Sequence, residues 1–212
     1  MLEYVVRQTA AYMESMPKQI RKKSGQFFTS IETARFMAGL FAIPAQPEIT
    51  ILDPGAGTGI LTAALLERIS TIPSVERVHL ICYETDEKII PVLEDNLRYV
   101  TAHCLKKADY ELRTLNYITS QENAFNGGLF PESGVTCDLC IGNPPYMKIG
   151  KDAPEAKAMP AICYGAPNLY FLLRLCRYLM SVTAEKWFTS FPDLGQVACI
   201  SSAFANIYSV MA

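Results

Sequence analysis

Three alternating glycines in ILDPGAGTGIL (51–61) join a short apolar run to an amphipathic pattern, and few architectures need such a junction. The run before it, ITILD (49–53), is rich in β-branched residues, as strands are. The stretch after it, GILTAALLERIS (59–70), is apolar at Ile60, Leu61, Ala64, Leu65 and Ile69, a helical spacing. Further apolar runs read as strands: RVHLICYE (77–84), LNYIT (115–119) and TCDLCIG (136–142). DEKIIPVLEDNLRYVTAHCLKK (86–107) reads as the helix after the second, with Pro91 in its first turn or two, where a missing N–H costs little. Strand, helix, strand, helix, strand predicts an α/β fold: a mostly parallel, doubly wound sheet with right-handed crossovers.

Two helical patterns flank these units. FFTSIETARFMAGLF (27–41) opens on Thr29 with Glu32 three residues later, and NLYFLLRLCRYLM (168–180) follows the last strand. Between them and the tail, YMKIGKDAPEAKAMPAICYGAP (146–167) is irregular. The 212 residues suit one domain, and a hydrophobic share of 50% argues against disorder. A net charge of −2 gives no global reason to bind nucleic acid, so any basic surface must be local. Lys18, Arg21, Lys22 and Lys23 form one short basic run, read first as a solvated helix face. Seven scattered cysteines without a secretory signal predict reduced thiols in a cytoplasm. No window approaches the roughly 20 apolar residues of a membrane span, so no membrane partner is expected. Cys137 and Cys140 share a strand run and would point to opposite faces, which argues against a zinc site. His79 and His103 are isolated and receive no role.

The glycine loop lies where a new helix offers its positive end, and Gly55, Gly57 and Gly59 let a ligand approach the backbone closely. A dinucleotide fingerprint would need glycine at 60, where isoleucine stands. The D-P-G-A-G-T-G form instead resembles the S-adenosylmethionine loop of Rossmann-like class I methyltransferases. That resemblance implies a loop around the methionine part, with Asp53 orienting its ammonium; the alternative is a plain tight turn. Glu84 ends the second strand, where a carboxylate can accept hydrogen bonds from both ribose hydroxyls. Asp86 reads as the cap of the next helix.

After the fourth strand comes Asn143-Pro144-Pro145-Tyr146, on the sheet edge where ligands gather in such folds. This chemistry suits methyl transfer to an exocyclic amine, whose lone pair is delocalised into its ring. Acceptors placed against its two N–H bonds favour a pyramidal, nucleophilic nitrogen. The Asn143 side-chain carbonyl is one acceptor and the Pro144 backbone carbonyl the other, with proline fixing the geometry in advance. Tyr146 offers a face on which an extruded base can stack. An edge turn without a ligand is the alternative.

The order GQFFTS (25–30), DPGAGTG (53–59), YETD (83–86) and NPPY (143–146) resembles the gamma-class adenine-N6 DNA methyltransferases of restriction–modification systems, fused methylase–nuclease enzymes included. The resemblance covers roughly residues 18–182. It implies S-adenosylmethionine as cofactor, no metal, double-stranded DNA as partner through a recognition domain, and Thr29 against the methionine part of the cofactor. NPPY also occurs in methyltransferases acting on protein glutamine and on ribosomal RNA, so an RNA or protein-glutamine target stays open. A non-catalytic cofactor-binding fragment or partner subunit, completed by a second chain, stays open as well. The family's adenine-binding acid and phenylalanine have only approximate matches in ITSQENAFN (118–126), at Asn123 or Glu122 and Phe125.

Residues 1–182 therefore read as a methyltransferase domain incomplete at its C-terminal side, and 183–212 as an aberrant tail. AEKWFTSFPDLGQVACISSAFANIYSVMA (184–212) has no clear strand–turn–strand pattern around Trp187 and Phe188. Read from the last base of each codon, Lys186 to Val197 can encode MVYIIPRSWTSG, which resembles the family's next segment. The expectation is a frameshift near 181–186 and a truncated, inactive chain. A natural short terminus or a domain split across two chains is the alternative.

Overall fold

The computed structural model of the chain describes residues 1–16, 29–126, 134–143, 149–160 and 197–198. Helix α1 (Leu2–Ser15) and helix α2 (Ile31–Gly39) precede the first strand, β1 (Glu48–Asp53). Then follow α3 (Ile60–Ile69), β2 (Arg77–Tyr83), α4 (Ile90–Ala102) and β3 (Lys107–Arg113). Two short helices, α5 (Tyr117–Ser120) and α6 (Glu122–Asn126), lead to β4 (Leu139–Ile141). The last elements are α7 (Pro154–Ala158) and a two-residue strand, β5 (Val197–Ala198). The sheet runs β3-β2-β1-β4-β5, and every neighbouring pair is parallel.

Alternation along the central strands sends side chains into two separate cores. Ile49, Ile51, Val78, Leu80, Leu139 and Ile141 join the cluster under α1 to α4. Leu52, Ile81, Tyr83 and Cys140 join the opposite cluster, with Tyr117 and Ile118 of α5 and Ala158 and Met159 at the end of α7. Strands buried on both faces read as apolar runs, which is why β1 and β2 stand out in the sequence. Helix α3 is buried on nearly every side because α1 and α2 pack over it while its inner face meets the sheet. Its all-round apolar surface follows from that second layer.

The chain crosses β1 to β2 to β3 over one face and returns to β4 over the other. Right-handed crossovers force this reversal, and it puts a crevice between the carboxyl ends of β1 and β4. Among the described residues, no helix is long and apolar enough to cross a membrane.

Several sequence expectations need correction. The third strand is not LNYIT (115–119) but Lys107–Arg113, and 117–120 is helical. At this edge of the sheet β3 is half exposed, with Ala108, Tyr110 and Leu112 against the core and polar residues between them. An edge strand of that kind is written as alternation rather than as an apolar run. Arg77 pairs across with Asp109 at 3.7 Å, and Asp109 also meets His79. LNYIT fails as a strand because the Asn116 side chain accepts from the amides of Ile118 and Thr119 and so starts a helix.

The helix expected over 86–107 is the shorter α4, with Pro91 in its first turn as expected, and Lys107 already belongs to β3. Asp86 stands just before it, its carboxylate accepting from the Lys88 amide at 2.9 Å and its carbonyl from Ile89 and Ile90. Helix α2 is capped by Ser30, not by Thr29: the Ser30 hydroxyl accepts from the Thr33 amide at 3.2 Å. Strand β4 is shorter than TCDLCIG because Asp138 extends the pairing differently, donating its amide to the Thr50 carbonyl while its carboxylate accepts from the Thr50 amide at 2.7 Å. Cys137 thus precedes the strand and packs against the same apolar cluster that holds Cys140, rather than on the opposite face. Among the described residues there is no group of three side chains that could hold a metal ion. Short α7 interrupts the stretch read as irregular. The expected helix at 168–180, the basic run at 18–23 and the tail, except β5, lie outside the described residues.

Candidate functional site

The glycine loop follows β1 and is held by bonds from β2, α1 and α4 and by one within itself. The Ala56 amide donates to the Tyr83 carbonyl of β2 at 2.9 Å, and the Gly59 amide turns back to Ala56 at 2.8 Å. Thr58 is gripped twice: its hydroxyl shares a 2.7 Å hydrogen bond with Thr9 of α1, and its carbonyl accepts from Asn96 of α4 at 2.9 Å. The turn requires left-handed backbone at Gly57 (φ 55°) and Gly59 (φ 85°). A Cβ at Gly59 would also meet Leu93 Cδ1 at 3.0 Å.

Asp53 sits beneath this loop, 1% exposed. Its Oδ2 accepts from the Thr62 hydroxyl at 2.7 Å, and its Oδ1 has no hydrogen-bond partner of sound geometry. Burial pushes its carboxyl up to about 7; the Thr62 hydroxyl and the Gly55 amide hold it back in part, and the Glu84 charge adds to the rise. A buried carboxyl this sparsely bonded is a place where a cationic donor would fit. This is the fit that the expected ammonium group requires.

Glu84, at the end of β2, is already engaged with backbone. Its Oε2 accepts from the Gly57 amide at 2.9 Å, and its Oε1 from the amides of Thr85 and Asp86 at 2.7 and 2.8 Å. A carboxylate has about four acceptor positions, so these three bonds leave one open for a ribose hydroxyl. Besides its expected role, Glu84 ties the strand end to the glycine loop. Burial pushes the Tyr12 phenol up, with the charges of Asp86 and Glu84 adding to it. Nothing in the sequence reading pointed to Tyr12, Thr9 or Asn96.

Across the crevice, Asn143 follows β4 with its neighbours Pro144, Pro145 and Tyr146 outside the described residues. Its Nδ2 donates to the Thr29 hydroxyl at 3.2 Å, while its Oδ1 is buried without a partner. Two motifs 114 residues apart thus meet through their side chains.

With the third strand ending at Arg113, the stretch ITSQENAFN (118–126) no longer follows directly on a strand end. The residues that leave the end of β3 are Asn116 and Tyr117, not Asn123 and Phe125, which lie in α6 with the Asn123 side chain exposed. Asn116 caps α5 and donates its amide N–H to Glu155 at 2.8 Å. Tyr117 packs edge-on to Tyr83, with ring centroids 4.9 Å apart, and the Arg113 guanidinium lies over Tyr83 at 5.4 Å while bonding Glu111.

Gly55 separates ligand from fold. Its φ is ordinary, and a Cβ there would meet nothing within 4 Å, so packing alone does not demand glycine. Gly55→Ala should therefore leave unfolding free energy within about 0.5 kcal/mol while weakening cofactor binding at least about tenfold. Gly59→Ala, by contrast, should cost about 1–3 kcal/mol in denaturant unfolding from backbone strain and the Leu93 contact. Equal losses of stability in both variants would contradict this division.

No protein-family model matches the chain. It is 29% identical over 160 residues to type II methyltransferase M.PstI of Providencia stuartii, covering 74% of this chain and 30% of that protein. It is 29% identical over 154 residues to type II methyltransferase M.BsuBI of Bacillus subtilis, covering 71% and 30%. The match thus spans about 30% of the length of these curated relatives. Among solved structures, a protein described as the modification subunit of a type I restriction enzyme from Vibrio vulnificus superposes with a TM-score of 0.52 at 19% identity, over 73% of this chain and 31% of that one. That likeness shows the fold, a Rossmann-like α/β sheet.

Proposed function

We infer that this relative of restriction–modification DNA methyltransferases carries the S-adenosylmethionine site and the amine clamp of an enzyme that methylates the exocyclic N6 of adenine in duplex DNA. One observation carries the reading. Asn143 follows β4 and its Oδ1 is buried without a partner, and Asp53, at the end of the neighbouring strand β1, has a carboxylate oxygen in the same condition. Such orphaned acceptors are rare in folded proteins and mark places where a ligand completes the bonding.

The residues present fit the cofactor. Asp53 would take its ammonium, Gly55 to Gly59 would line its methionine part, and Glu84 would take one ribose hydroxyl. When bound, the cofactor supplies an electrophilic methyl group on sulfonium. Asn143 Oδ1 accepts one N–H of the target amine, and the Pro144 carbonyl is assigned the other. Because an amide does not take up a proton near neutrality, Asn143 acts by polarising the amine, not as a base. Tyr146 is assigned to stack the extruded base.

The test is to incubate the full chain with methyl-labelled S-adenosylmethionine and unmethylated duplex DNA, digest the DNA and identify the labelled nucleoside. N6-methyladenine, absent with Asn143→Ala, is the expected product. Label in cytosine, in RNA or in a glutamine-containing peptide instead would overturn the adenine assignment.

A further inference from the structure

We propose that Thr29 is a positioning residue for Asn143, holding its amide so that Oδ1 and not Nδ2 meets the target; the inference rests on the transfer reading above and deepens it. An asparagine amide is nearly the same shape either way round, but its ends are chemically opposite. With Oδ1 outward it accepts an N–H of the amine. Turned over, it would set N–H against N–H at the reacting centre and lose the polarisation.

Three features of the structure assign the choice to Thr29. The Asn143 Nδ2 donates to the Thr29 hydroxyl, and Oδ1 is buried without a partner. Capping of α2 is performed by Ser30, so the Thr29 hydroxyl is not committed to a helix amide. Thr29 is also firmly placed, one residue before the cap of a helix whose Ala34 and Met37 are fully buried. In the structure the Thr29 hydroxyl takes the accepting role toward Nδ2, and that bond leaves Oδ1 as the end that can accept an N–H of the amine. The family resemblance alone would make Thr29 a cofactor contact, which predicts a different outcome.

The test compares Thr29→Val, which keeps the shape and removes the acceptor, with Thr29→Ser, which keeps the acceptor. Asparagine side chains are 15N-labelled in the full chain, and the Asn143 amide pair is identified by its loss in Asn143→Asp. Thr29→Val should shift or broaden that pair, leave S-adenosylmethionine affinity within about threefold, and lower kcat at least about tenfold. Thr29→Ser should restore both the resonances and the rate. Unmoved Asn143 resonances in Thr29→Val overturn the proposal. So does a large rise in cofactor Kd with kcat unchanged at saturation, which would make Thr29 a cofactor contact. Should the wild type transfer methyl to nothing, the transfer reading fails by itself, and the resonances still decide whether Thr29 holds Asn143.

Discussion

Asn143→Ala removes methyl transfer while sparing the fold and cofactor affinity. The expected loss in kcat is about 10²–10³, the range seen when one preorganised polar partner of a reacting group is deleted. Stability should move by no more than about 1 kcal/mol. The substitution loses a hydrogen bond to Thr29, but it also removes a buried acceptor that has no partner. Cofactor Kd should stay within about threefold, since Asp53, Glu84 and the glycine loop come from other strand ends. Transfer assays and calorimetric titration on the same preparation check both halves. Unchanged turnover would remove Asn143 from the chemistry, and a collapse of cofactor binding would make it part of the cofactor site.

Asp53 makes cofactor binding depend on pH in a defined direction. Its carboxyl is pushed up to about 7, chiefly by burial, so below that pH the free protein holds it protonated and neutral. Pairing with an ammonium needs the carboxylate. Affinity should therefore be flat above about pH 7 and fall below it, reaching about 30-fold weaker at pH 5.5 than at pH 8. Asp53→Asn should bind at least about tenfold more weakly at pH 8 and lose this slope. Stability moves oppositely. The folded state holds this proton more tightly than the unfolded chain, so Asp53 lowers stability as pH rises from about 4 to about 7. Between those limits, wild-type stability relative to Asp53→Asn should fall by up to about 4 kcal/mol. Parallel pH profiles for the two proteins would show that Asp53 is not the group responsible.

How much of this was legible depended on what each residue meets. Strands β1 and β2 and helix α3 were found with nearly correct limits because burial on two sides writes them as apolar runs. Strand β3 was missed for the converse reason: KADYELR is half exposed, and LNYIT next to it is more apolar yet helical. That error made ITSQENAFN (118–126) the stretch next after the strand end, where Leu115, Asn116 and Tyr117 stand. Helix α1 did leave a signal, since its buried Leu2, Val5 and Thr9 fall on one helical face. Its function did not, because the grip of Thr9 on Thr58 is a contact between chain segments far apart.

The glycine loop, Glu84 and Asn143 were recognisable by type and order. Their states were not. That Glu84 spends three acceptor positions on backbone amides depends on the path of the loop after β2. That Thr29 is released from capping depends on a one-residue shift in where α2 begins.

The central claim is that this sheet edge is built around a methyl donor, and direct titration of the full chain with S-adenosylmethionine at pH 8 tests it. The account predicts saturable binding at a single site, with Kd between about 1 μM and 1 mM, weakened by Gly55→Ala and by Asp53→Asn and retained in Asn143→Ala. A folded chain that shows no saturable binding at millimolar cofactor, or binding indifferent to Asp53, would contradict it.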